Sequence, residues 1–389
     1  MSIKKIVAFT GIRSDYDLLS GLYKKINNNP DLDIKLIVSG SHMSSTYGGS
    51  VSEIIKDGIP ILAKTESLLD SNSPSVRVKS LSILLLSVVH TIVDYNPDLI
   101  IVAGDREDVM AGSLVGAYLE VPVAHFFGGD HAKDGNVDNP IRHATSMLAN
   151  IHFVTNENSE LRLLKIGEER RRIFNIGSPS LDKFLNTEEI SKEDLFEFFN
   201  IEYREKYALL IFHPVIDRNE SASMQFQKIL NALQRKGIFT FVSYPNTDSG
   251  NKLILDVISN NIDNPNFYFY KNLDRPKFIN LFRNAEFLIG NSSAGIYEAP
   301  FLKKPVINVG IRQKGRLSAE NVVFIDNSED SIVEAIEKVE SADFKKLVDS
   351  VQSPYGDGNS EDLALDLIKT LDFEEFKLKT NDPLEVNNE

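Results

Sequence analysis

A chain of 389 residues, 42% hydrophobic, with a net charge of −14 and no cysteine, is long for one core and apolar enough to fill two. Its acidity and the lack of a basic run argue against a nucleic-acid polymer as partner, and the missing thiols exclude disulfides and thiolate metal sites. No segment reads as a secretory leader or a continuous membrane span; the apolar stretch Ser80 to Val93 is short and interrupted by serines, so it reads as a buried or subunit-interface helix.

Ile3 to Phe9 reads as a short apolar strand, followed by the turn Gly11-Ile12-Arg13-Ser14-Asp15 and a helical pattern from Tyr16 to Ile26. Asp33 to Ser39 repeats the strand. Pro97 to Ala103 is apolar without alternation, which predicts a strand covered on both faces; Gly104-Asp105 and a helix over Val109 to Leu119 come next. Val121 to Phe127 is a further strand, closed by Gly128-Gly129. Strands separated by helices predict a parallel α/β sheet whose ligand edge lies at the carboxyl ends of the strands, so Gly11, Arg13, Asp105 and the loop after Phe127 fall on one rim.

The pattern restarts after Gly177-Ser178-Pro179. Tyr207 to Phe212 is a strand leading into His213-Pro214, Phe226 to Arg235 a helix, and Phe239 to Tyr244, Asn266 to Tyr270, Phe287 to Gly290 and Val306 to Val309 are strands. Two similar α/β units predict domains at 1–177 and 178–378 with a cleft between them, the last helix free to pack back on the first domain. The tail 379–389 has too few apolar residues to pack and is expected to be mobile.

Several strand ends carry chemistry. Asp105 fits a general base or the stabiliser of a developing positive centre, with a helix cap as the plain alternative. The loop from Gly128 to Arg142 holds Asp130, His131, Asp134, Asp138 and Arg142, followed by His143, and can carry acid and base work; Asp138 and Arg142 share a helical face and are able to pair. A metal held by His125, Asp130 and His131 is disfavoured, since no ligand spacing matches a known metal box. His213, aimed by Pro214, suits a phosphate or sugar oxygen. Arg13 can clamp a diphosphate leaving group, with Asp15 to orient it, and Arg312 and Arg316 form a basic loop. In Gly290-Asn291-Ser292-Ser293-Ala294-Gly295-Ile296-Tyr297-Glu298 an apolar strand enters a helix start. Its N–H groups and the Ser292 and Ser293 hydroxyls suit a phosphate, and Glu298, one turn inside the helix, suits the paired hydroxyls of a ribose. A Ser-rich helix cap is the alternative.

Through residue 325 the chain resembles the hydrolysing UDP-N-acetylglucosamine 2-epimerases of the sialic-acid and nonulosonic-acid type. The shared markers are Thr10-Gly11-Ile12-Arg13-Ser14-Asp15-Tyr16, Gly104-Asp105-Arg106, Gly128-Gly129-Asp130, Ile141-Arg142-His143-Ala144, His213-Pro214, Gly290 to Gly295, and Pro305-Val306-Ile307-Asn308 to Gly315-Arg316. The resemblance implies a glycosyltransferase-B-like pair of Rossmann-like domains, with the nucleotide on the second and the sugar on the first. UDP would leave by anti elimination across C1–C2, and hydration of the glycal would give the free 2-epimer, such as N-acetylmannosamine, with no redox cofactor and no metal.

Asp105, Asp138 and Arg142 match family active-site positions, and His213 the histidine near the diphosphate. Arg13 matches the arginine of the first glycine turn, while Ser292, Ser293 and Glu298 match phosphate- and ribose-binding positions; Asn291, Gly295, Arg312 and Arg316 lie in the same matched segments. The chain departs where relatives carry a glutamate or histidine, placing Phe127 there, and where they carry glutamate after Gly-Gly, placing Asp130-His131 there. Either acid–base work rests on Asp130, His131 and Asp138, or the sugar is a modified one, such as a 4-acetamido-4,6-dideoxy type, for which Phe127 would be a wall. The expected ligand is UDP-N-acetylglucosamine or a relative such as UDP-N,N'-diacetylbacillosamine, in a cytoplasmic homodimer with no membrane partner. A nonhydrolysing epimerase, a glycosyltransferase of the same fold and a nucleotide-sugar sensor are the alternatives.

Overall fold

The computed structural model describes residues 3–44, 49–69, 75–131, 137–214, 220–245, 251–271 and 273–383. Asp134 of the expected acid–base loop lies outside them. The chain divides into two units, Met1–Leu185 with Tyr355–Glu389, and Asn186–Pro354.

In the first unit, β1 (Lys4–Thr10), β2 (Leu32–Val38), β3 (Ile61–Lys64), β4 (Leu99–Ala103), β5 (Val123–Phe126), β6 (Ile151–Val154) and β7 (Ile173–Asn175) form one sheet. Every neighbouring pair is parallel, in the order β3-β2-β1-β4-β5-β6-β7. The helices are α1 (Arg13–Asn27), α2 (Val51–Lys56), α3 (Ser75–Tyr95), α4 (Glu107–Leu119), α5 (Asp138–Leu148), α6 (Glu157–Lys165) and α7 (Asp182–Asn186). α1 buries Tyr16, Leu19, Tyr23 and Ile26, spaced three and four apart as one helical face requires. Its core covers one face of the sheet, while α3 and α4 cover the other through Leu84, Val88, Ile92, Val109 and Val115. Covered on both sides, β4 buries all five of its residues, which is why it shows no polar alternation.

The second unit repeats the plan with β8 (Ala208–Ile211), β9 (Thr240–Ser243), β10 (Phe267–Tyr270), β11 (Phe287–Gly290), β12 (Val306–Val309) and β13 (Val322–Ile325), all parallel in the order β10-β9-β8-β11-β12-β13. Its helices are α8 (Lys192–Phe199), α9 (Ala222–Arg235), α10 (Asn251–Asn260), α11 (Arg275–Asn284), α12 (Ala294–Tyr297), α13 (Glu329–Glu340) and α14 (Ala342–Ser350). In each sheet the strand order reverses direction once, beside β1 and β4 in the first and beside β8 and β11 in the second. Ligands of open parallel sheets bind at the carboxyl ends of such neighbouring strands.

Two expectations are corrected. The division falls at Leu185 rather than at 177, because Asp182 accepts from the Ser360 and Glu361 N–H groups at 3.1 and 2.7 Å. It thereby ties its segment to the start of α15 (Ser360–Thr370), which packs on α1. The described part of the tail is anchored. Lys379 donates to Glu168 and to the Met147 carbonyl at 3.1 Å, and Asn381 to the Gly167 carbonyl at 2.9 Å. Polar anchoring does there what apolar packing was expected to lack. Of the two readings of the Ser80 to Val93 stretch, full burial is set aside: α3 is long and apolar enough to cross a membrane, yet it packs by one face and leaves Val78, Leu86 and Val93 at 65%, 82% and 51% exposure, which leaves the subunit-interface reading.

Candidate active site

The rim of the first sheet gathers charge from four helices. β4 ends at Ala103; Gly104 comes next, its φ of +92° the left-handed turn a glycine allows, and Asp105 follows. Asp105 does not cap α4; Arg106 occupies the cap position, and Asp105 is ion-paired with Arg142 of α5, both largely buried. The expected pair of Asp138 and Arg142 is therefore not formed. Asp138, the first residue of α5, faces Arg77 of α3 at 3.8 Å, and Arg77 also pairs with Glu107. Burial first, and then the neighbouring Asp105, raises the Asp138 pKa above the ordinary carboxyl value.

Arg13 is likewise not oriented by Asp15. It pairs with Glu53 of α2 at 3.0 Å, whereas Asp15 lies 3.4 Å from Arg106. Arg77, Arg106 and Asp108 were not singled out by sequence. Asp108 is 5% exposed, and its carboxyl group fills the space a side chain on residue 11 would need, so any larger residue at 11 would have to displace it. Burial and the nearby Asp15 push its pKa to about 7, and burial pushes Asp15 to about 6 against the pull of Arg106. Glycine at 11 was legible; what it makes room for was not.

After β5, Phe127 holds φ at +63°, a conformation bulky residues rarely adopt, and its half-buried ring packs against the α1-side core. Asp130 accepts from the Ser159 hydroxyl at 2.6 Å and the Thr155 hydroxyl at 3.1 Å, which fixes its position. The His131 and His143 rings lie parallel within 13° at 5.9 Å, and the buried His143 Nδ1 has no hydrogen-bond partner among the described residues. His125 is engaged by the Gly104 carbonyl at 2.8 Å and the Ser146 hydroxyl at 3.0 Å, so it is not available to a metal. Among the described residues no three His, Asp or Glu side chains gather as a metal site would require.

On the second rim, β8 leads to His213 and β11 to Asn291. The Asn291 amide bridges the His213 backbone, accepting from its N–H at 2.8 Å and donating to its carbonyl at 2.9 Å. Asn291 is 1% exposed, and its amide is spent on positioning His213. Its own carbonyl accepts from Arg312 at 3.1 Å and Gln313 at 2.9 Å, so Arg312 braces the turn. The Arg316 guanidinium stands over the Tyr297 ring, 5.9 Å from its centroid.

Gly290 is required by its φ of +130° and the closeness of the Ile211 carbonyl, and a side chain at Gly295 would collide with Val306. Ser293 sits at the cap of α12 without a side-chain cap bond, and Ser292 is half-buried, its hydroxyl accepting from the Ala294 N–H at 3.3 Å. α12 is a single turn, so Glu298 lies at its C-terminal edge and not inside it; Pro300 prevents a regular continuation. Glu298 Oε2 is buried with no hydrogen-bond partner among the described residues, and burial raises its pKa against the pull of Arg275.

The family described as UDP-N-acetylglucosamine 2-epimerase matches residues 24–369. The chain is 33% identical over 369 residues to the UDP-N,N'-diacetylbacillosamine 2-epimerase (hydrolyzing) of Legionella pneumophila, covering 95% of this chain and 96% of that protein. The chain belongs to the UDP-N-acetylglucosamine 2-epimerase family. It is an enzyme. Two other relatives are the GDP/UDP-N,N'-diacetylbacillosamine 2-epimerase (hydrolyzing) of Campylobacter jejuni, at 32% identity, and a UDP-N-acetylglucosamine 2-epimerase of Neisseria meningitidis, at 34%. They cover 89% and 86% of this chain, and 90% and 87% of their own lengths. A crystal structure of the Neisseria meningitidis UDP-GlcNAc 2-epimerase bound to UDP-GlcNAc has a TM-score of 0.78 at 18% identity, covering 94% of this chain and all of that one. Two Rossmann-like units, the glycosyltransferase-B plan, are thus the fold of the family and of this chain.

Proposed function

We propose that the protein is a hydrolysing 2-epimerase that converts UDP-N,N'-diacetylbacillosamine, a 2,4-diacetamido-2,4,6-trideoxyhexose, into the free 2-epimer and UDP. The observation that carries this reading is the near full-length match to the Legionella pneumophila diacetylbacillosamine enzyme, joined by the Campylobacter jejuni one. It displaces UDP-N-acetylglucosamine as the first expectation for the sugar.

The second unit supplies the handle for UDP. The Ser292 and Ser293 hydroxyls and the imidazole of His213, held by Asn291, serve the diphosphate, and the unpartnered Oε2 of Glu298 accepts from the ribose hydroxyls. The first unit supplies the chemistry. A carboxylate takes the C2 proton while the C1–O electrons leave with UDP; water then delivers hydroxyl to C1, and a proton reaches C2 from the other face. Asp138 is the group assigned to the C2 proton, because its raised pKa lies nearer to working pH than that of an ordinary carboxylate. Asp105, clamped by Arg142, is assigned to the positive charge that develops at C1 as UDP departs. Asp130, held by Thr155 and Ser159, and His131 beside His143 are assigned to the return proton. The exposed face of α3 around Leu86 is assigned to pairing two copies.

Incubation with UDP-N,N'-diacetylbacillosamine and, separately, UDP-N-acetylglucosamine tests the reading, with products identified by NMR. Free 2-epimer and UDP, formed with the higher kcat/KM from the diacetylated sugar, are expected. A product still joined to UDP, transfer to an acceptor, or a preference for UDP-N-acetylglucosamine would overturn it.

A further inference from the structure

A cavity of about 380 Å³ opens beside Asp105, within the first unit. Three helix ends build it: Val78 and Leu81 from α3, Met110 from α4, and Ile141 of α5 with Val137 just before it. All three helices start at the carboxyl rim of the sheet, so the cavity sits directly outside the Asp105–Arg142 pair and the Arg77–Asp138 pair. The charged side chains on its edge are engaged in ion pairs, Arg77 with Glu107 and Arg106 with Asp15, and its remaining lining is apolar. A volume of this size is that of a small-molecule site. A hydroxymethyl group entering it would exchange water for methyl and methylene neighbours, whereas a methyl group would lose nothing and gain burial.

We propose that this cavity receives the C4–C6 edge of the sugar, its C5-methyl and the methyl of its 4-acetamido group, and so selects a 4-acetamido-4,6-dideoxy sugar over one with hydroxyls at C4 and C6. The inference rests on the epimerase reading above and names the side chains that set its substrate. It moves the apolar wall from Phe127, whose ring packs on the core, to the α3, α4 and α5 side chains that line the cavity. Discrimination by apolar contact alone is worth roughly 10- to 200-fold per carbon group, so each lining residue should carry a measurable share.

The test is the ratio of kcat/KM for UDP-N,N'-diacetylbacillosamine to that for UDP-N-acetylglucosamine in Met110→Gln and Val137→Thr, which keep shape and add polarity. Val137 is 49% exposed, so its replacement leaves the fold in place. Each variant should lower the ratio by roughly tenfold, with UDP affinity unchanged, and Met110→Leu should restore it. A ratio unchanged in both polar variants, in an enzyme whose wild type prefers the diacetylated sugar, overturns the cavity inference and leaves the substrate reading standing. A wild type inactive on the diacetylated sugar overturns both.

Discussion

The two rims are built from the same strand-order reversal but are held in different ways. On the first, side chains hold side chains: Arg142 on Asp105, Arg77 on Asp138 and Glu107, and Arg106 on Asp15. On the second, side chains hold backbone, as the Asn291 amide spans the His213 peptide groups and Arg312 and Gln313 brace the Asn291 carbonyl. A rim of paired charges responds to protonation and can move protons; amide and carbonyl contacts do not titrate and fix geometry. The contrast fits the proposed function, with chemistry on the first unit and nucleotide grip on the second, and it can be broken residue by residue.

The largest effect is expected on the first rim. Asp105→Asn and Asp138→Asn should each lower kcat by a factor on the order of 10² or more, with UDP affinity by calorimetry unchanged. An Asp105→Asn enzyme with near-normal turnover would reduce that side chain to a structural partner of Arg142. On the second rim the pattern should invert. Glu298→Gln keeps the shape and removes the charge; it should raise KM and the Kd for UDP by roughly tenfold, the scale of one hydrogen bond to a charged group, with kcat less affected. Asn291→Ala should produce a smaller loss in the same direction by releasing His213, and kcat falling more than binding would blur the division of labour.

The smallest expected effect sharpens the electrostatic half of the comparison. Asp108 holds its proton to about pH 7 in the folded protein, well above the ordinary value of 3.8, with Asp15, Arg106 and Glu107 the charged groups facing it. Between about pH 4 and 7 the folded state thus keeps a proton that the unfolded state has released, and stability falls as pH rises through that window. Asp108→Asn removes the titration. Its Tm relative to wild type should climb between pH 5 and 8, and a flat difference would mean that Asp108 ionises freely in the folded chain.

Much of this arrangement was legible in sequence because it follows from local pattern. Unbroken apolar runs such as Leu99–Ala103 and Phe287–Gly290 predict strands buried on both faces, and the residue after each predicts a place on the ligand rim. The strands Ile61–Lys64, Ile151–Val154, Ile173–Asn175 and Val322–Ile325 escaped because they are three or four residues long and carry lysine, histidine or asparagine among their apolar residues, or lie at a sheet edge. Partner choice was not legible. Asp138 and Arg142 have the spacing of a helical pair, yet Arg142 turns to Asp105, 37 positions away, and Arg77 reaches Asp138 across 61. Such pairs are set by which helix ends meet, a property of the tertiary fold with no trace in spacing along the chain. The single-turn α12 shows the same limit: strand, turn and small residues were readable, but the helix stops before Glu298.

The measurement that tests the central claim most directly is turnover of UDP-N,N'-diacetylbacillosamine in D₂O, with the free sugar followed by NMR. Elimination removes the C2 hydrogen and hydration replaces it from a group in contact with solvent. The account predicts a free product inverted at C2 and carrying deuterium there, together with UDP. A free sugar that keeps its original C2 hydrogen and configuration would contradict it and make the enzyme a simple glycosyl hydrolase.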